Sequence, residues 1–460
     1  MAIHSTAVRL MPGRLTPLVR RFNARAVLDD VLRDPEAARR NATLRKSWVS
    51  IDEITQLANE HSQQCSAIGR AVEAGQDQLP ARLRTLLQAL PNATHDAVRH
   101  NDKPIVVEEV GTKPDRACRR MVENSAGMGF LLQNQDYTKI CGDRTYFLTG
   151  DLARLERALI RYALDALRER GFRLVSVPDL LTADAIEACG MQAAGQRSQV
   201  YHVDFGGGGG DGDCQTDTKR NTMCLSGTAE IALANLFKGK DIPPAELPLK
   251  VCSVSRCYRA EVSTAKGEKG LYRVHQFNKV EMFGLTEGSV EKSQQLQREF
   301  IDIESTMLRE LGLHFRLLDM PPADLARPAY RKFDIEAWMS GHGFYGEVAS
   351  VSDCTAHQAT RLGITSGGRY VHTVNGTACA APRMLIAIGE TYATSNAMIR
   401  VPKVLRPYLD VEELRPERAF RRWKYLPFYY FERRLLEEDS ATEGDAVQNP
   451  TVDLQKRTQA

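Results

Sequence analysis

Three short stretches of this chain carry side chains whose types and spacing could do chemistry. Two of them, Val251-Cys-Ser-Val-Ser-Arg-Cys-Tyr-Arg-Ala-Glu261 and Arg273-Val-His-Gln-Phe-Asn-Lys-Val-Glu281, are strand-like runs joined by a polar loop rich in Gly and Lys. Alternation along a strand places Arg259 and Glu261 on one face of the first run, and Arg273, Phe277 and Glu281 on one face of the second. One sheet face then presents two guanidinium groups, an aromatic ring and two carboxylates. Guanidinium forks bind phosphate oxygens, a ring stacks on a base, and carboxylates hold a metal ion or an ammonium group, so the set suits a nucleoside triphosphate together with an amino acid. Taken alone, the segment fits equally well a half-exposed hairpin whose charges pair with one another. The third stretch, Asn375-Gly-Thr377-Ala-Cys-Ala-Ala-Pro382-Arg383, runs into Met384-Leu-Ile-Ala-Ile. A proline in a first helical turn beside an arginine makes a phosphate-binding helix start.

These stretches lie in a dense mixed α/β region from about Leu131 to Leu409, without the regular strand–helix alternation of a doubly wound sheet. Within it, Asp151 opens an amphipathic helix with Leu152, Leu155, Leu159, Tyr162 and Leu167 on one face; Gly171 stops it, and a strand from Phe172 to Val177 leads into Pro178. Upstream, Ile51, Ile54, Ala58, His61, Cys65, Ile68 and Val72 recur in steps of three and four. Gly75 and Asp77 break that seam, and Leu79, Leu83, Leu86 and Leu90 give a second one. The pattern predicts an antiparallel helical hairpin, about 33 Å long if residues 51–72 are all helical. A helix pair lying on a globular core has the same signature. Gly206 to Gly210 followed by Asp211-Gly-Asp213 lacks the Lys-Ser/Thr of a phosphate loop and reads as a surface insert. The end of the chain begins as a basic-aromatic run, Arg415 to Arg434, in which Arg421, Arg422, Trp423, Lys424 and Tyr425 suit either RNA contact or docking through the rings.

Composition bounds the rest. With 460 residues, 43% hydrophobic and 26% charged, the chain is neither a disulfide-stapled module nor wholly disordered. Its ten cysteines are scattered without a C-x-x-C pair, which argues for reduced thiols rather than a zinc site. No stretch approaches the ~18–20 apolar residues of a membrane span. The net charge of +3 is unevenly placed: residues 1–28 hold Arg9, Arg14, Arg20, Arg21 and Arg25 and no acid. That opening, with Ser5, Thr6 and Thr16, has the composition of a mitochondrial presequence; a basic disordered tail is the alternative. Those five charges exceed the whole excess, so affinity for a polyanion must come from local patches, with Arg39, Arg40, Arg45, Lys46, Arg82 and Arg84 as candidates.

Taken together, the motifs resemble those of class II aminoacyl-tRNA synthetases, and among them the mitochondrial form of seryl-tRNA synthetase. Over residues 130–408 the resemblance rests on Ser226-Gly-Thr-Ala-Glu230, on Cys257-Tyr-Arg-Ala-Glu261 with Gly270-Leu-Tyr-Arg-Val-His-Gln-Phe277, on Glu347-Val-Ala-Ser350 and on the Asn375–Arg383 stretch. Residues 151–178 resemble the family's dimer-forming motif, and Leu90-Pro-Asn-Ala-Thr-His95 its junction between arm and catalytic domain. The resemblance implies an α+β fold, an antiparallel sheet flanked by helices and preceded by a coiled-coil hairpin arm. It divides the chain into a presequence (1–28), a tRNA-binding arm domain (29–125), a catalytic domain (126–410, with the 206–220 insert) and a C-terminal extension (411–460).

It further implies ATP-dependent ligation of L-serine to mitochondrial serine tRNA through seryl-adenylate, with Mg²⁺, in the mitochondrial matrix. Arg259, Arg383 and Glu281 would be catalytic. Thr228, Ala229, Glu230, Arg259, Glu281, Asn375 and Thr377 would bind serine. Arg259, Ala260, Glu261, Arg273, Val274, Phe277, Glu347, Val348, Ala349, Ser350 and Arg383 would bind ATP, with Glu347 and Ser350 holding Mg²⁺. The implied partners are serine tRNA and a second subunit, as a homodimer or as a heterodimer with a synthetase-like paralogue; neither membrane nor DNA is among them. An inactive paralogue acting as a scaffold is the alternative function. Val351-Ser-Asp353 departs from the family's more usual Cys-Ser-Asn, Thr360 stands where a second Arg is common, and the arm is shorter than the bacterial one.

Overall fold

The computed structural model describes residues 22–67, 79–114, 120, 121, 125, 131, 132, 139–193, 198–203, 222–261, 270–394 and 398–415. The hairpin turn near Gly75, the 206–220 insert, residues 1–21 and the basic-aromatic run beyond Arg415 lie outside them.

The N-terminal part is built from α1 (Ala24–Arg33), α2 (Pro35–Leu44), α3 (Ile51–Ala67) and α4 (Ala81–Ala89). Asn23 and Asp34 cap the first two through side-chain bonds to the amides of Ala26 and Ala37. Ile51, Ile54 and Ala58 of the predicted seam are buried against Leu79, Leu83, Leu86 and Leu87, while His61 and Cys65 are only half-buried. The hairpin is therefore rooted in a four-helix cluster that also takes Leu28 and Val31, and the pairing of α1 with α4 and α2 with α3 was not anticipated. Helix α1 also crosses the expected presequence boundary at residue 28, with Ala24 and Leu28 buried at 1% and 2% exposure.

The rest of the described chain is organised on one eight-stranded sheet. Along the chain its strands are β1 (Ile105–Val110), β2 (Arg173–Leu174), β3 (Leu249–Tyr258), β4 (Gln276–Thr286), β5 (Phe315–Asp319), β6 (Arg331–Met339), β7 (Phe344–Thr355) and β8 (His372–Ala380). Their spatial order is β1-β5-β6-β7-β8-β4-β3-β2. Every pair is antiparallel except β2 with β3, so the sheet is mixed rather than wholly antiparallel. The expected strand 172–177 shrinks to the two residues of β2. Strand β1, which falls within the range expected for the arm domain, pairs with β5. At the other end, Glu413–Leu414 pairs with Ile399–Arg400.

Helix α5 (Gly150–Glu169) buries Leu152, Leu155, Leu159, Tyr162 and Leu167 as the periodicity demands, and ends at Gly171 with φ +82°. Helix α6 (Ala229–Leu236) lies against β3 and β4. Helix α7 (Val290–Glu310) lies across β7, β8 and β4 on the sheet's rear. Its approach is close enough that a Cβ on Gly284 would stand 2.5 Å from Leu296, and one on Gly376 3.2 Å from Phe300. Helix α8 (Ala381–Thr391) follows β8 directly, with Pro382 in its first turn.

The N-terminal helices are fixed to the sheet-bearing part by cations that bind main-chain carbonyls. Arg45, a candidate RNA contact from sequence, is 8% exposed and donates to Asn92 O (3.1 Å), Ala329 O (3.0 Å) and Ala326 O (2.6 Å). Arg361 donates to Leu87 O and Leu90 O, both at 3.2 Å, and to His357 O at 3.0 Å. Asn92 Nδ2 bonds Pro328 O and Cys354 O. Arg39 is paired with Glu36 and Asp52, and Arg82 with Glu53. Of the six candidate cations, Arg40 and Lys46 stay exposed without a polar partner among the described residues.

Candidate active site

A cavity of about 470 Å³ opens on the front of the sheet, between the segment following β3, strands β4, β6, β7 and β8, and the start of α8. It is lined by Thr228, Glu230, Arg259, Glu261, Arg273, Val274, Phe277, Glu281, Glu347, Val348, Ala349, Ser350, Asn375, Thr377 and Arg383. All of these are sequence candidates. Ala229 and Ala260 are not on the wall: Ala229 starts α6, and Ala260 gives its amide to Gln199 O.

Arg259 and Glu261 lie just beyond the end of β3, not on it, so alternation is not what aims them. The amide of Arg259 bonds His275 O, which ties that end to the segment entering β4. The Arg259 guanidinium donates to Gly227 O at 3.3 Å and stands 5.5 Å from the Phe277 ring centroid. Arg273 likewise precedes β4 and pairs with Glu261 at 3.3 Å. Phe277 and Glu281 do follow the alternation of β4, and so does Lys279 between them.

Glu347 and Ser350 are three residues apart on β7, which on a regular strand would send them to opposite faces. The pairing of β6 with β7 skips Val348, with Ile335 opposite Ala349 and Glu336 opposite Glu347, and this bulge lets both line the cavity. Arg383 spans from the first turn of α8 to Glu347 Oε2 (3.0 Å) and Glu347 O (2.9 Å), with its guanidinium carbon 4.6 Å from the Tyr272 ring centroid. Lys332 stands 3.9 Å from Glu347 on its other side and 2.7 Å from Asp334. Loss of solvent pushes the Glu347 carboxyl upward, but Lys332 and Arg383 outweigh it and hold the pKa down to about 2.

The inner end of the cavity carries carboxylates. Glu230 accepts a bond from Gln358 Nε2 at 2.6 Å, and Gln358 is fixed in turn by Thr373. Burial, then the charge of Glu281, pushes the Glu230 pKa up to about 7. Glu281 Oε2 receives the Thr228 hydroxyl at 3.2 Å and the Lys279 ammonium, which also donates to Thr228 at 2.9 Å. Asn375 and Thr377 face them from β8. Sequence reasoning missed Lys279 and Lys332. The first was legible, because the alternation that selects Phe277 and Glu281 also selects residue 279; the second depended on strand pairing.

The arrangement has cationic walls toward Arg273 and Arg383, a ring at Phe277 and an acidic inner end. It can hold a polyphosphate, a flat base and a small zwitterion in one continuous space. Among the described residues no three His, Cys, Asp or Glu side chains group as a metal cage. A single carboxylate and a hydroxyl nevertheless fit Mg²⁺, which is held by one or two protein oxygens together with substrate phosphates. Asp353 and Thr360, the two departures, lie off the cavity wall.

Comparison with known proteins places these features among relatives. Residues 213–392 match the family described as tRNA synthetase class II core domain (G, H, P, S and T). The mitochondrial serine--tRNA ligase of Bos taurus is 41% identical over 334 residues, covering 71% of this chain and 62% of the bovine protein. This chain therefore spans less than two thirds of that relative's length. The serine--tRNA ligase of Rhodopirellula baltica is 34% identical over 381 residues, 78% of this chain and 85% of the bacterial one. Among solved structures, the seryl-tRNA synthetase of Pyrococcus horikoshii complexed with ATP superposes with a TM-score of 0.65 at 27% identity, covering 86% of this chain and 98% of that one.

Proposed function

The chain belongs to the serine--tRNA ligase family, and from that premise we propose that it activates L-serine with ATP and transfers the seryl group to a mitochondrial serine tRNA, in the matrix and as a dimer. The observation that carries the reading is the continuity of the cavity from the carboxylates around Glu281 to the cations Arg259, Arg273 and Arg383.

In the first step a serine carboxylate oxygen attacks the α-phosphorus and the bond to pyrophosphate breaks. Both reactants are anionic at the point of contact, so the chain's contribution is charge and orientation. Arg259 sits where the acidic inner end meets the cationic end and binds the serine carboxylate and the α-phosphate together. Arg273 and Arg383 hold the outer phosphates, for which Arg383 exchanges Glu347 for phosphate oxygen. Phe277 stacks on the adenine once Arg259 turns from its ring to the phosphate, while Glu261 and the Val274 backbone meet the base edge. Glu347 and Ser350 would hold Mg²⁺, which when bound would supply Lewis-acid neutralisation of phosphate charge. Thr228, Glu230, Glu281, Asn375 and Thr377 enclose the serine ammonium and hydroxyl. In the second step a ribose hydroxyl of the tRNA attacks the seryl carbonyl and AMP leaves. Arg40 and Lys46 are exposed candidates for contacts at the arm root. The exposed apolar side chains of edge strand β1, Ile105, Val106 and Val107, suit a subunit contact.

The test is serine-dependent exchange of pyrophosphate into ATP. Exchange is expected with serine and not with alanine, and Arg259→Ala is expected to abolish it while far-UV and thermal signatures of folding persist. Absence of exchange from folded protein with serine and Mg²⁺ overturns the enzyme reading in favour of the scaffold; near-normal exchange by Arg259→Ala overturns the site assignment.

A further inference from the structure

The inner end of the cavity contains a cation that the chemistry above does not use. Lys279 is 6% exposed, and its ammonium binds Glu281 Oε2 and donates to Thr228 Oγ1 at 2.9 Å. Thr228 in turn donates to the same Glu281 oxygen at 3.2 Å, which closes a triangle of three side chains. Within it Glu281 Oε2 is fully engaged, while Oε1 has no polar partner among the described residues. Glu230 differs, because its carboxylate is held by the neutral amide of Gln358 at 2.6 Å.

We propose that Lys279 is a specificity-determining positioning residue, which pins Glu281 as a fixed acceptor whose Oε1 reads the hydroxyl of the bound amino acid. This rests on the serine reading of the cavity. Two carboxylates in one small buried space do not both stay ionised unless a cation compensates one of them. Lys279 compensates Glu281. A substrate ammonium placed against Glu281 would meet the charge of Lys279, so the ammonium goes to Glu230. Glu281 is left with a hydroxyl as its natural partner. Without the lysine, the Oε2 side of Glu281 loses its charged anchor, and Oε1 is no longer held toward the substrate. A pocket whose held acceptor is left unpaired discriminates strongly against a ligand lacking the hydroxyl, and one whose carboxylate can turn to another partner does not.

The test compares two non-reactive adenylate mimics, seryl- and alanyl-sulfamoyl adenosine, binding to the full chain. The ratio of their affinities reports hydroxyl recognition alone. Lys279→Met is expected to lower that ratio at least tenfold while the alanyl mimic changes less than threefold. In exchange assays the serine KM rises at least tenfold and the ATP KM stays within twofold. Should Lys279→Met fail to fold, Lys279→Gln keeps a donor toward Thr228 without the charge, and the same fall in ratio is expected. A ratio within twofold of wild type, or equal weakening of both mimics, overturns the role of Lys279. Failure of the wild-type chain to prefer the seryl mimic overturns the serine reading itself, and this inference with it.

Discussion

Replacing Asp353 with Asn should stabilise the protein by an amount that depends on pH. Asp353 is fully buried on β7, where its carboxyl accepts the Ser293 hydroxyl and the Thr355 amide, both at 2.8 Å. No cation is paired with it among the described residues, and burial pushes its pKa from 3.8 up to about 6. Because the folded state holds the proton more tightly than the unfolded chain, the stability tied to that proton is complete below pH 4 and is lost as pH rises through 6. A shift of about two units at about 1.36 kcal/mol each costs the wild type about 3 kcal/mol above pH 7. Asn keeps an acceptor for Thr355 and can donate to Ser293 without ever ionising. The gap between the two proteins should therefore be about 3 kcal/mol at pH 8, flat above pH 7, and roughly half as large at pH 5. His372, linked through Ser293 and pushed down to about 4 by burial, is present in both proteins, so taking the difference removes most of its contribution. Paired thermal melts from pH 5 to pH 8 measure the gap. A constant gap, or a wild type that is the more stable at pH 8, refutes the reasoning.

Two further outcomes concern the arm root and the pocket. Arg361→Met leaves Leu87, Leu90 and His357 with carbonyls short of a buried charged donor, which should cost about 3 kcal/mol and expose the Leu90–Asn92 junction to early protease cleavage; an unchanged digestion pattern would refute the staple. Glu230, with its pKa near 7, gains charge as pH rises from 6 to 8, so the serine KM should fall by about tenfold over that range. Glu230→Gln should raise the KM and flatten the profile, and a flat wild-type profile would contradict the assignment of Glu230 to the ammonium.

The residues of the cavity wall were legible because their chemistry is conspicuous: arginines, a ring and carboxylates within two short runs admit few joint uses. How they reach one wall was less legible. Alternation accounts for Phe277 and Glu281 but not for Arg259, Glu261 or Arg273, which lie beyond strand ends and are aimed by loop hydrogen bonds. Glu347 and Ser350 share a face only because of a bulge, and a bulge depends on the partner strand, which a single run of residues does not reveal. The seam of α3 was readable to Ala58, where burial is strong, and weakened at His61 and Cys65. Helices α1 and α2 escaped because an Arg-rich, acid-poor opening dominates the composition there, although Asn23 and Asp34 are recognisable caps. Arg45 was misjudged for a related reason: in sequence a buried guanidinium looks like an exposed one.

The fastening at Leu87–Asn92 makes no use of side-chain identity on the acceptor side. Arg45 and Arg361 grip peptide oxygens, and every residue type supplies those equally well. A transplanted arm of different sequence but the same backbone path would therefore seat on this catalytic unit, provided the two arginines and the Asn92 amide stay in place. The arm is thus an interchangeable part by construction, free to change its exposed surface without renegotiating the joint that carries it.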